Sequence, residues 1–148
     1  RSDNDTLVVG QQAEILYGGE DMDFVDYSNS NAAVYIDLDS NTASGGYAQG
    51  DSLGGIDGVF GSAFNDTIYG FDHAGTSGDI FTNIFYGAAG NDYIDARGSD
   101  DVVFGGADND TVLGGSGNDT ISGDEGNDRL FGGDGADSIL GGDGTDSI

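Results

Sequence analysis

The residues best equipped for chemistry are the aspartates, and their placement is periodic. Cut every nine residues from Gly87, the chain gives units opening at Gly87, Ala96, Gly105, Gly114, Gly123, Gly132 and Gly141. The sixth position of every unit is then an aspartate: Asp92, Asp101, Asp110, Asp119, Asp128, Asp137 and Asp146. Carboxylate and carbonyl oxygens are hard ligands, and in a flexible turn they suit calcium better than the strict octahedron of magnesium. Candidate ligands are therefore these seven carboxylates together with backbone carbonyls near Gly105, Gly106, Gly114, Gly115, Gly117, Gly123, Gly132, Gly133, Gly135, Gly141 and Gly142. Asp5, Asp23, Asp57 and Asp66 fall at the sixth position of looser units with fewer glycines, and form a second tier of candidates.

Other chemistries are poorly served. The acids do not alternate toward a central glycine and terminal glutamate, as an EF-hand loop requires. There is no H-E-x-x-H and no G-x-S-x-G, and the single histidine, His73, sits in an irregular polar stretch. A glycosidase-like pair needs one carboxyl held protonated, and a bound cation has the opposite effect. No catalytic residue is assigned, and the chain is not expected to be an enzyme.

A nine-residue period also constrains what positions the acids. The eighth position is always aliphatic: Ile94, Val103, Val112, Ile121, Leu130, Ile139 and Ile148. Nine residues accommodate a six-residue turn and a three-residue strand, with the eighth side chain pointing inward by the two-residue alternation. Two units then make one 18-residue coil of a flattened, right-handed, all-β solenoid, a parallel β-roll. Asp92, Asp110, Asp128 and Asp146 line one edge, and Asp101, Asp119 and Asp137 the other. Coils stack about 4.8 Å apart, a spacing at which unit charges repel by about 3 kcal/mol in an effective dielectric of about 20. A divalent cation between neighbours turns that repulsion into attraction. Same-edge pairs 92/110, 101/119, 110/128, 119/137 and 128/146 give about five sites. One aliphatic side chain per nine residues is a thin core, so calcium binding is expected to supply much of the folding free energy.

Upstream the period is broken. We read 1–26 as a short amino-terminal roll segment and 27–51 as a non-repeat β excursion. Within the excursion Val34, Ile36 and Leu38 alternate as a half-buried strand, and Gly45-Gly46 turns the chain into a second short strand near Tyr47. Residues 52–86 read as degenerate repeats with an irregular loop at 70–77, where Asn83 takes the acidic position. The regular roll occupies 87–148, its last unit one residue short.

Asp and Glu total 28 against three basic residues, a formal charge of -25, which excludes nucleic acid and anionic membrane surfaces as direct partners. Without cysteine there is neither a disulfide framework nor a thiolate site. No apolar run reaches membrane-spanning length. Opening on Arg1 and stopping at Ile148 inside a repeat suggests an excised piece of a larger protein.

The units Gly114-Gly115-Ser116-Gly117-Asn118-Asp119-Thr120-Ile121-Ser122 and Gly132-Gly133-Asp134-Gly135-Ala136-Asp137-Ser138-Ile139-Leu140 resemble the G-G-x-G-x-D-x-U-x repeat of the repeats-in-toxin, or haemolysin-type calcium-binding, family. That resemblance implies a parallel β-roll holding calcium between adjacent turns, in secreted or cell-surface bacterial proteins. Ala88, Ala96-Arg97, Ser99, Asp108 and Asp124 depart from the glycine pattern, and Arg97 is expected to substitute in part for bound metal. The expected role is a module that folds on extracellular calcium and stabilises or spaces a larger protein, with flanking domains as partners. The alternatives are an adhesin module, or a calcium-dependent accessory module binding a polysaccharide, for which Tyr35, Tyr47 and Phe131 are the ligand-contact candidates.

Overall fold

The computed structural model describes residues 3–71 and 82–148. The first part of the chain carries three-residue strands, β1 (Thr6–Val8), β2 (Ile15–Tyr17), β3 (Phe24–Asp26), β4 (Tyr35–Asp37), β5 (Thr42–Ser44), β6 (Ser52–Gly54) and β7 (Gly58–Phe60). Longer strands follow: β8 (Thr67–Phe71), β9 (Ile84–Ala89), β10 (Tyr93–Arg97), β11 (Val102–Ala107), β12 (Thr111–Ser116), β13 (Thr120–Glu125), β14 (Arg129–Asp134) and β15 (Ser138–Asp143). Consecutive strands of the regular run alternate between two sheets. One is ordered β1-β3-β7-β9-β11-β13-β15, the other β14-β12-β10-β8-β4-β5-β6-β2. Neighbours in the regular run pair in parallel at an offset of 18 residues, as in Val112 opposite Leu130 and Val103 opposite Ile121. This is the flattened coil that the nine-residue period requires.

Between the sheets lies one column of side chains per strand pair. Ile68, Ile94, Val112 and Leu130 stack on one side, Val59, Phe85, Val103 and Ile121 on the other, all essentially without solvent exposure. Apolar side chains in register on successive coils thus form a core one residue thick that joins the sheets. Ile139 is only partly buried and Ile148 is exposed.

Two local expectations need correction. The ladders do not stop after three residues in the regular run: Gly115 still pairs with Gly133 and Ser116 with Asp134, giving strands of five or six residues and correspondingly short turns. Glycine backbones on adjacent coils lie close enough to keep hydrogen bonding. The second strand of the excursion precedes Gly45-Gly46 instead of following it. Thr42–Ser44 forms β5, antiparallel to β4, while Tyr47 sits in a single 3-10 turn, Gly46–Ala48. The Asp37 carboxylate accepts from the Asp39 and Ser40 amides and sets the reversal that brings β5 back. Thr-Ala-Ser has no apolar alternation to announce this strand.

Val34, Ile36 and Leu38 are all buried, and β4 joins β8 in parallel, Ile36 opposite Ile68. The excursion is therefore part of the same sheet. Of the irregular loop 70–77, Gly70 and Phe71 belong to β8; positions 72–77, with His73, lie outside the described residues.

Ile94 has no exposed surface, whereas Phe131 is 52% exposed. Ile94→Ala is expected to cost about 2–5 kcal/mol in a calcium-saturated melt, and Phe131→Ala less than about 1 kcal/mol. Denaturant unfolding of both variants in calcium checks the difference.

Candidate metal centre

Each turn of the regular run ends on its aspartate, and each aspartate is tied to the next coil in one direction. The amide of Asp92 donates to Oδ1 of Asp110 at 2.8 Å, that of Asp110 to Asp128 at 2.8 Å, and that of Asp128 to Asp146 at 3.1 Å. The opposite edge repeats this from Asp101 to Asp119 at 2.9 Å and from Asp119 to Asp137 at 3.0 Å. One oxygen of each carboxylate is thereby committed to the backbone. The other is not: Oδ2 of Asp92, Asp101, Asp110, Asp119 and Asp128 is buried and accepts no hydrogen bond from the protein. A buried carboxylate oxygen without a partner is costly, and a bound cation would offset that cost at each of the five positions along the two edges.

What surrounds these oxygens is backbone. A Cβ on Gly87 would collide with Oδ2 of Asp92 and with the carbonyl of Gly105 together. Gly105 is placed likewise against Asp110 and the Gly123 carbonyl, Gly114 against Asp119 and Gly132, and Gly123 against Asp128 and Gly141. The first glycine of each unit thus keeps open the space where a carboxylate and the next coil's carbonyl converge. Gly115 and Gly117, with φ of 109° and 139°, turn the chain through conformations open to glycine, and lie against the carbonyls of Arg97 and Ser99 on the coil before. Among the carbonyl candidates, those of Gly105, Gly115, Gly117, Gly123, Gly132 and Gly141 meet a glycine of a neighbouring turn in this way. Ala88, Arg97, Ser99, Asp108 and Asp124 hold the same bends at φ between 70° and 84°, at about 1–2 kcal/mol each for a residue with a Cβ. Among the described residues no three His, Asp or Glu side chains gather around one point. An ion here takes its oxygens largely from carbonyls, with carboxylates supplying the charge, and that donor set fits calcium.

The electrostatics agree. Loss of solvent, reinforced by neighbouring aspartates, pushes the Asp92 and Asp101 carboxyls up to about 8 and Asp110 up to about 7. Burial raises Asp119 and Asp128 as well. A divalent cation beside these carboxylates would favour their ionised form and oppose that rise.

The second-tier candidates separate into distinct kinds. Asp66 is closed: its carboxylate accepts from the Ser62 amide and hydroxyl and from the Val34 amide. Asp5 donates its amide to Asp23, and Asp23 its amide to Asp57, continuing the ladder upstream. Asp23 alone of this tier has a buried Oδ2 without a partner. Asn83 is fully buried; its amide donates to Asp101 and its side-chain nitrogen to the Asp57 carbonyl, so it holds the place of an acid without the charge. Arg97 does not reach the aspartate ladder. Its guanidinium lies 3.5 Å from Asp37 and 3.7 Å from Asp39, donates to the Gly70 carbonyl at 3.1 Å and covers the Tyr69 ring. It pairs with the excursion's acids instead.

Two features escaped the sequence reading. Asp51 occupies the ladder position before β6, where Oδ1 accepts from the Glu14 amide and Oδ2 from the buried Tyr27 hydroxyl at 3.0 Å. Burial, and then the Asp51 charge, raise that phenol further above its usual value. Ser62 is the other, and its spacing of four before Asp66 was the available signal. Outside the roll, Phe24, Phe60, Tyr86 and Phe104 form a ladder with ring centroids 4.8–5.2 Å apart. Tyr35, Tyr69 and Tyr93 form a tilted one. Tyr35 and Phe131 share a face but are separated by β8, β10 and β12, and Tyr47 hydrogen-bonds Gln11 at the far end of that sheet, so the three ligand-contact candidates do not converge.

A flattened parallel roll whose turns set bare carboxylate oxygens against carbonyls defines a calcium-binding repeat protein. The model of the RTX calcium-binding nonapeptide repeat matches the chain in four copies, over residues 1–31, 51–74, 77–112 and 113–148. The chain belongs to that family, whose repeats bind calcium and are structural rather than catalytic modules. No curated protein matches the chain.

The raised carboxyls give a pH dependence of definite sign. Unfolded aspartates titrate near 3.9, so between about pH 4 and pH 8 the metal-free fold holds more protons than the unfolded chain. Its stability is greatest below pH 4 and is lost as pH rises through about 8. In chelator, far-UV β signal is expected to grow on acidification from pH 8 to pH 4. In saturating calcium, which needs the ionised form, the melting temperature is expected to fall over the same change. Circular dichroism at both ends of the range, with and without calcium, measures the inversion.

Proposed function

We propose that the chain is a calcium-triggered folding module of a secreted bacterial protein, with about five ions in the regular roll, serving to stabilise or space the domains beside it. The observation that carries this reading is the column of buried, unpartnered Oδ2 atoms on Asp92, Asp101, Asp110, Asp119 and Asp128. Five desolvated carboxylates joined by a one-residue core oppose folding until cations arrive. Oxygen-donor sites of this sort work at the millimolar calcium found outside cells and stay empty at cytosolic concentrations, so the fold is switched by export. No helix among the described residues is long and apolar enough to cross a membrane.

A second reading, a calcium-dependent polysaccharide module, is favoured by the tilted ladder of Tyr35, Tyr69 and Tyr93, at the end of which Tyr35 is exposed and offers a ring on which a sugar can stack. The stacked ladder through Phe60, Tyr86 and Phe104 serves it less well, since those rings cover one another. A glycan array in calcium separates the readings: retention lost on Tyr35→Ala supports the second, and a blank array leaves the folding role alone.

For the main reading, titration of the metal-free chain with calcium is expected to convert a largely disordered spectrum to a β spectrum cooperatively. Simultaneous replacement of Asp110, Asp119 and Asp128 by Ala is expected to remove most ion uptake and the cooperative transition. Full β structure in excess chelator at pH 8 would refute the proposal.

A further inference from the structure

Between the short amino-terminal strands and the regular run lies a segment with a different balance of forces. Over 27–71 the chain carries five acids in 45 residues, whereas 87–148 carries 14 in 62, so the earlier segment repels itself less. Burial runs the other way. Among the described residues, ten apolar side chains of 27–71 are buried, against six of 87–148. Around β4 three of them, Val34, Ile36 and Leu38, turn inward, where β12 and β14 bury one each, Val112 and Leu130. The excursion makes room for the extra side chains. β5 and β4 stand between β6 and β8 in one sheet, while β3 meets β7 directly in the other. Tyr27, Ala48 and Ile56, which belong to no strand, join the same core.

The buried acids of this segment are closed by the chain itself. Oδ2 of Asp51 accepts from the Tyr27 hydroxyl and Oδ1 from the Glu14 amide. Asp66 accepts from the Val34 amide and from both the amide and hydroxyl of Ser62. Among the described residues, no buried side-chain oxygen of 27–71 lacks a partner, while five in 87–148 do. The desolvation that opposes metal-free folding of the regular run is therefore already compensated here.

We infer that 27–71 folds without metal and is the template on which the regular coils add, beginning with β9 and β10. This rests on the calcium reading of the regular run, to which the segment is the exception. Its far edge is shaped to receive the first coil. β7 takes β9 and β8 takes β10, both in parallel. The Asp66 amide donates to Oδ1 of Asp92 at 2.7 Å, and the Asp66 carbonyl accepts from the Tyr93 amide at 3.0 Å. Coils that add in order from one preformed edge start in a single register, which identical repeats cannot choose among themselves.

Hydrogen exchange of the whole chain, read by mass spectrometry of its peptides, tests this. In excess chelator at about pH 8, peptides within 34–69 are expected to exchange at least about tenfold more slowly than those within 93–148, which exchange as free chain. Tyr27→Phe leaves Oδ2 of Asp51 buried without its donor and is expected to lower that protection roughly tenfold. Leu130→Ala, in the regular run, is expected to leave it unchanged. Rapid exchange throughout, or protection that Tyr27→Phe does not lower, overturns the inference and leaves the calcium reading standing. Slow exchange throughout overturns both. Should Tyr27→Phe fail to fold even in calcium, the exchange map of the unaltered chain decides.

Discussion

The structure turns on a carboxylate that has been given half of what it needs. Every ladder aspartate in the regular run accepts one backbone amide from the coil before it, which fixes the side chain and draws it out of water. In Asp92, Asp110, Asp119 and Asp128 the second oxygen is left facing the carbonyl of a first-position residue on the next coil. Two negative centres in a desolvated pocket are unstable by themselves, and the surrounding geometry follows from keeping that pocket open. At Gly87, Gly105, Gly114 and Gly123 the first position lacks a Cβ because the pocket occupies its place, whereas the unit of Asp101 carries Ala96 there. The second and fourth must bend through positive φ so that carbonyls turn toward the neighbouring coil. The eighth must be aliphatic because only one inward side chain per unit remains to hold the sheets together.

The polarity of the ladder matters as much as its composition. Aspartate amides donate to the carboxylate 18 residues later, whereas along the outer rim the amides of Asn109 and Asn127 donate backward to the side chains of Asn91 and Asn109. Adjacent coils are clasped from both directions at each turn on that edge. The outer clasp is exposed and uncharged, and each bond in it is worth about 1 kcal/mol. It can align coils that are already close, but it cannot offset the desolvation of the acids inside. Alignment and cohesion are thus supplied by different groups.

Much of this was legible because the period is strict. Seven aspartates and seven aliphatics in phase specify the coil, the two edges and the inward column, and the structure buries Ile94, Val103, Val112, Ile121 and Leu130 accordingly, while Ile139 is partly buried and Ile148 is exposed. What stayed hidden depends on contacts between residues with no fixed spacing. The Tyr27 hydroxyl reaches Asp51 across 24 residues and Arg97 reaches Asp37 across 60. Neither pairing leaves a trace in a nine-residue window. The four second-tier aspartates looked equivalent in sequence, since each stands two residues before an apolar one. They differ in whether a donor lies within reach in three dimensions, and a donor's reach is set by the packing of the excursion. The strand at Thr42–Ser44 was missed for a related reason: its residues are selected by the hairpin that Asp37 sets up, and not by alternation.

Strict repetition also creates an ambiguity that the irregular half resolves. Sliding one strand of the regular roll by 18 residues puts aspartate on aspartate, glycine on glycine and aliphatic on aliphatic, so calcium and core packing alone accept the slipped pairing almost as well. Features that occur once do not. Phe60, Tyr86 and Phe104 stack in sequence, and the same column then runs into Ser122 and Leu140, so a slip trades a ring contact for a hydroxyl. Such ring pairs are worth about 0.5–1.5 kcal/mol beyond their area. Arg97 meets its acids only when β10 lies against β8 and β8 against β4. In the proposed reading calcium drives the coils together, while the aromatic ladder and the Arg97 contacts select which coil lies on which.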